Sequence, residues 1–309
     1  MSKPLLIVIF SRLGNAAALP RTLSQTIAFI AVSIFFSLPG VSQEAKVEVE
    51  ENDSKAAEKN EPVYPLAVAV TGEEIYVVDL DLPGVWKAGA KRELYVRGSN
   101  LLRKPMNRPR CVIVHPAGGV IVGDSATREI YHVAAKDAKP KPLNDGYLGV
   151  PMALVLDPSG KTLYVGDAER RATFRLPVQG GKPELVARVN ARGLAFDSNG
   201  KLWAVTPDDA AIQRINVETN EVEEIVTGRP FQYPNGLCLA DDHGYVTDIY
   251  SNCIWKFTLD GKTEKWHEGA PLVGPVGIAV TDSSVFVADP KQKQVFEFDR
   301  KTKQAKERL

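Results

Sequence analysis

Cysteine, histidine and methionine are all scarce in this chain: three, four and three residues among 309. An odd cysteine count leaves at least one of Cys111, Cys238 and Cys253 unpaired, so a disulfide framework cannot hold the fold. The four histidines, His115, His132, His243 and His267, are scattered and give no zinc-ligand spacing. Neither a Gly-x-Ser-x-Gly elbow nor a phosphate-binding glycine loop is present. Formal net charge is zero, with 38 basic and 38 acidic residues, which argues against a nucleic-acid binder.

Long apolar runs are also missing, except near the start. The first 43 residues carry only Lys3, Arg12 and Arg21 as charges, and 27–36 is almost wholly apolar. A basic start, an apolar middle and small residues at 40–42 read as an export signal, with cleavage expected after Ser42. The competing expectation is an uncleaved membrane anchor, but Pro39-Gly40 interrupts the run short of the roughly 20 residues that a span needs. A cleaved chain acts in the periplasm or outside the cell. Residues 44–63 are expected to be a flexible linker, because 44–61 is rich in Glu, Lys, Ala and Asn and lacks aromatics. Val47-Glu48-Val49 alternates like a strand and could pair elsewhere.

What the chain does have is a repeat. A strand opening with Pro recurs at Pro65-Leu-Ala-Val-Ala-Val, Pro109-Arg-Cys-Val-Ile-Val, Pro151-Met-Ala-Leu-Val-Leu, Pro234-Asn-Gly-Leu-Cys-Leu and Pro275-Val-Gly-Ile-Ala-Val. A sixth copy, Ala191-Arg-Gly-Leu-Ala-Phe, has Ala in the Pro slot, and the steps run from 40 to 44 residues. A second strand follows and ends at Asp79, Asp124, Asp167, Thr206, Asp248 or Asp289. Seven residues later comes the centre of a third strand: Trp86, Tyr131, Phe174, Gln213, Trp255 or Phe296. Fourth strands fit at 93–96, 139–142, 184–187, 221–226, 263–266 and 303–309. This period predicts an all-β fold over 64–309: a six-bladed β-propeller of four-stranded blades, preceded by a helical N-terminal signal segment. Cys238 and Cys253 then lie on non-neighbouring strands of one blade, too far apart to join.

The run Pro275-Val-Gly-Ile-Ala-Val280, a turn, Val285-Phe-Val-Ala-Asp289, then Phe296 resembles the NHL repeat. It is similar, too, to the propellers of the SMP-30/gluconolactonase and strictosidine-synthase-like groups. The resemblance covers about 64–309. It implies functions that range from protein or RNA binding to metal-dependent lactone hydrolysis.

Residues that break the repeat are the candidates for function. The slot after the Pro reads Leu66, Arg110, Met152, Arg192, Asn235 and Val276, and starts the innermost strand at the mouth of the central channel. Arg110 and Arg192 facing one cavity suit a carboxylate or phosphate; alternatively they turn aside to nearby Asp residues. The loops expected on the same face, 98–108, 144–150, 228–233 and 268–274, bring Arg103, Lys104, Arg108, Tyr147, Arg229, Phe231 and Tyr233. The Asp that ends each second strand has a structural reading, as acceptor for loop N–H groups, with Asp248 kept as a candidate because its neighbours differ.

For the lactonases the resemblance implies a divalent cation such as Ca²⁺, held by a Glu, an Asn and an Asp. Asn235, in Tyr233-Pro-Asn-Gly-Leu237, matches the Asn motif, but Leu66 and Val276 stand where carboxylates should be. The expected site is therefore Arg110, Arg192, Asn235, Tyr147, Tyr233 and Asp248, with no cofactor, no catalytic residue and no nucleic acid. Its partner is a small molecule, a sugar or a protein, and a membrane enters only through an uncleaved N-terminus. A divergent lactonase-like hydrolase using Asn235 and Asp248 is the alternative.

Overall fold

The computed structural model describes residues 61–309; the signal segment, most of the linker and the Val47–Val49 strand lie outside them. Among the described residues, twenty-four strands form six four-stranded antiparallel sheets, each drawn from one continuous stretch of chain: 65–97, 109–142, 151–187, 193–227, 234–268 and 278–307. The first strand of each blade contacts the first strands of both neighbours, so six inner strands close a ring. No strand is shared between blades among the described residues.

The reason for closure is visible in the second strand of blade 1, Glu74–Asp79. Side chains alternate across a strand. Ile75 and Val77 therefore pack toward blade 6, with Trp86, Phe286, Ala288 and Val295. Tyr76 and Val78 pack the other way, with Val112, Val120, Val122 and Tyr131 of blade 2. Each of the six apolar clusters spans two neighbouring blades in this manner. A single blade has two greasy faces and no way to cover either, so the ring is the stable unit. Each fully buried Val, Leu or Phe contributes roughly 1.5–3 kcal/mol.

The second strands end where expected, at Asp79, Asp124, Asp167, Asp248 and Asp289, and Thr206 directly follows Leu202–Val205. Five fourth strands shift by one residue or more; only Glu184–Ala187 keeps its expected limits. In blade 2 only Lys141–Pro142 pairs, because Pro140 and Pro142 lack the N–H that a ladder needs. Two first strands begin late, at Gly193 and Ile278, leaving Arg192 and Val276 just ahead of them. The Val276 carbonyl accepts from the Thr247 hydroxyl of blade 5, although its N–H still donates to Ala288.

Glycine after the repeat slot has a packing cause. A Cβ on Gly277 would sit 2.6 Å from Ala67 Cα and 2.7 Å from the Leu66 carbonyl oxygen. Gly236 meets Val276 and Ile278 in the same way, and Gly193 meets Asn235 and Leu237. Inner strands pack backbone to backbone there, and the last such contact closes the ring.

Candidate functional site

The slot after the repeat Pro is a β-bulge in blades 1, 2, 3 and 5. In blade 1, Pro65 pairs with Asp79 and Ala67 with Val78, which leaves Leu66 as the extra residue. Arg110 is extra between Pro109 and Cys111, and Met152 between Pro151 and Ala153. In blade 5 the register jumps from Pro234 to Leu237, so Asn235 and Gly236 are both unpaired. A bulge bends its strand and re-aims a side chain. Pro, with no N–H to give the ladder, belongs beside such a defect.

All six slot residues line one half-open cavity of about 270 Å³ where the inner strands begin. Leu66, Met152 and Val276 are its apolar slot residues; Arg110, Arg192 and Asn235 are the polar ones, joined by Tyr64 and Tyr233. Among the described residues no carboxylate lines it. Arg110 donates from Nε to Ser125 Oγ at 3.2 Å. Burial lowers its pKa, with Arg108 and, more weakly, Arg192 adding like-charge repulsion. Arg192 Nε and Asn235 Nδ2 are buried without a hydrogen-bond partner among the described residues. An orphaned buried donor costs about 1–3 kcal/mol, so both groups favour gaining an acceptor.

Arg110, Arg192, Asn235 and Tyr233 are thus brought together, while Tyr147 and Asp248 stand apart from the cavity. Tyr147 packs edge-on against Phe174 at 6.0 Å, under the Arg170 guanidinium at 4.8 Å. Asp248 is fully buried and accepts the N–H groups of Gln232 and Tyr233, both at 2.8 Å, with Trp255 Nε1 at 3.3 Å. Asp79, Asp124, Asp167 and Asp289 hold the corresponding pairs of N–H groups in their own blades. Asp248 is therefore occupied as a backbone acceptor like its four counterparts. Among the loop residues, Arg229 pairs with Asp209 at 2.6 Å, and Phe231 is buried against Trp255 at 5.5 Å.

Two contributors escaped the sequence reading. Tyr64 lines the cavity from the residue before Pro65, as Tyr233 does before Pro234, so the repeated Tyr-Pro pair was the available signal. Ser125, which orients Arg110, follows the second-strand Asp, and nothing in its local pattern marks it.

The donor set does not suit a divalent cation. Hard cations take six or more oxygens, with carboxylates prominent. Here one amide stands beside two guanidiniums, and among the described residues no three His, Cys, Asp or Glu side chains cluster.

No family model matches the chain, and no curated protein matches it. Solved structures do. A gluconolactonase from Xanthomonas campestris superposes with a TM-score of 0.64 at 14% identity, over 77% of this chain and 86% of that one. A chain of the nidogen/laminin complex gives 0.61 at 19% identity, over 70% and 84%. Virginiamycin B lyase from Staphylococcus aureus gives 0.61 at 16% identity, over 79% and 84%. At these identities the likeness is one of fold. The chain is a six-bladed β-propeller of four-stranded blades whose structural neighbours include a nidogen/laminin-complex propeller and a gluconolactonase.

Proposed function

We propose that this chain is an exported propeller that binds an anionic ligand in its central cavity and acts as a binding or interaction scaffold. The observation that carries this reading is the convergence of Arg110, Arg192 and Asn235 on a cavity with no carboxylate, two of them with unmet donors. Two guanidiniums close together repel, and an anion between them turns that repulsion into two attractions. Arg is also the side chain best shaped for planar oxyanions. The neighbours' names span a protein complex, a lactonase and a lyase, so fold alone does not choose an activity. The metal-dependent alternative is weakened by the apolar Leu66 and Val276, which cannot ligate. No hydrolytic step is assigned.

Sulfate should raise the melting temperature of the wild type, and Arg192→Ala should remove the shift. Tight, stoichiometric binding of Ca²⁺, Mn²⁺ or Zn²⁺ that disappears in Asn235→Ala would instead favour the hydrolase. Export is supported by the basic-then-apolar N-terminus. Among the described residues no helix is long and apolar enough to cross a membrane. N-terminal sequencing of protein from its host should find a start near Gln43; an intact Met1 in the membrane fraction would contradict cleavage.

A further inference from the structure

We infer that the cavity selects a small monocarboxylate with a compact apolar body over a polyhydroxylated acid or a bare oxyanion. This rests on the anion-binding reading of the same cavity and sharpens it.

Three observations carry it. The first is the sense of the hydrogen-bonding groups. Guanidiniums only donate, and a carboxylate only accepts, so the two match in sense. A sugar acid brings several hydroxyl groups, each of which also has a proton to give. The side chains lining the cavity offer few acceptors for those protons: the Asn235 amide oxygen and the phenols of Tyr64 and Tyr233. Hydroxyls buried there without acceptors would lose the water they held outside.

The second is the order of residues around the ring. Val276 of the blade 6 stretch and Leu66 of blade 1 are neighbours, and Met152 sits in the blade between those that carry Arg110 and Arg192. Leu66 and Val276 are buried, and Ile249 and Leu80 extend the apolar lining. The Val276–Leu66 side is therefore apolar, while Met152 stands between the two arginines across the ring, and a bare oxyanion such as sulfate would leave the apolar side uncovered. The third is size. A volume of 270 Å³ falls just below the roughly 300–1,000 Å³ typical of drug-sized ligands, and suits a single ring or a short branched chain.

Calorimetric titration of the protein isolated from its host tests this with four probes: phenylacetate, glucuronate, benzyl alcohol and sulfate. Phenylacetate should bind at least about tenfold more tightly than glucuronate or sulfate, and benzyl alcohol should not bind measurably. Leu66→Asn, close in volume but polar and on the apolar side, should weaken phenylacetate by about fivefold and leave sulfate unchanged. Should that variant unfold, Val276→Thr asks the same question from the neighbouring blade. Glucuronate or sulfate binding as tightly as phenylacetate would overturn the preference while leaving the anion site standing. Benzyl alcohol matching phenylacetate would overturn it by showing that the guanidiniums do not read the carboxylate. Failure of all three anions to bind would remove the anion site itself.

Discussion

The backbone N–H of Tyr233 donates to Asp248 Oδ1 at 2.8 Å, so a rim residue of the cavity is held by a carboxylate that never reaches the cavity. Gln232 fills the other carboxylate oxygen, also at 2.8 Å. The entry loop of blade 5 is thereby stapled to the end of that blade's second strand. Blade 4 is the exception: Thr206 takes the place of Asp, and its hydroxyl donates to the Ala210 carbonyl instead.

Asp248→Ala should leave two part-buried N–H groups without their acceptor and lower unfolding stability by about 1–3 kcal/mol. Asp209→Ala, which removes an exposed partner of Arg229, should change stability by no more than about 0.5 kcal/mol. Urea denaturation of both variants checks this. An Asp248→Ala protein of full stability that has lost its ligand would return Asp248 to the binding site.

Ring closure rests on the inner-strand contact between Gly277 and the Leu66–Ala67 backbone. Gly277→Ala should cost about 1–3 kcal/mol, because the clash is with backbone that cannot step aside. Gly89→Ala, whose Cβ would lie 3.5 Å from the nearest atom, should be close to neutral. Equal melting temperatures for the two would show that blades 6 and 1 do not meet as described.

All three thiols are free and buried. Burial pushes Cys111 and Cys253 up to about 12 and raises Cys238 as well. At pH 8 the folded protein should resist thiol-specific disulfide reagents, and urea should release all three groups to react. Rapid labelling of the folded chain would contradict the burial.

Glu297 holds the last strand, Ala305–Glu307, to blade 6. Burial works to raise its pKa, but hydrogen bonds from Ser284, Lys306 and Arg308 outweigh it and hold the carboxyl below its usual value. A depressed carboxylate contributes stability that is complete above its unfolded pKa, about 4.3, and is lost as pH falls through the lower folded value. The wild type should therefore lose melting temperature more steeply than Glu297→Gln as pH drops below about 4.3. Parallel acid limbs would mean that Glu297 carries no such linkage.

Much of the fold was readable from spacing alone, since the seven-residue step from Asp289 to Phe296 and its five counterparts reflects one turn length used six times. The slot residues were legible as breaks in that repeat. Their bulged backbone was not, because a bulge is a matter of register against the partner strand, and a single strand's sequence does not show it. Asp248 stood out by its unusual neighbours, while its hydrogen bonds to two backbone N–H groups are those of the repeated Asp. Tyr147 misled because a shared face is wider than the cavity at its centre.

The most direct test of the central claim is anomalous diffraction from crystals grown with bromide. A bromide peak inside the cavity, within reach of Arg110, Arg192 and Asn235 and lost in an Arg110→Gln/Arg192→Gln double variant, is the expected result. Peaks confined to the outer loops, with an ordered cation in the cavity instead, would contradict it.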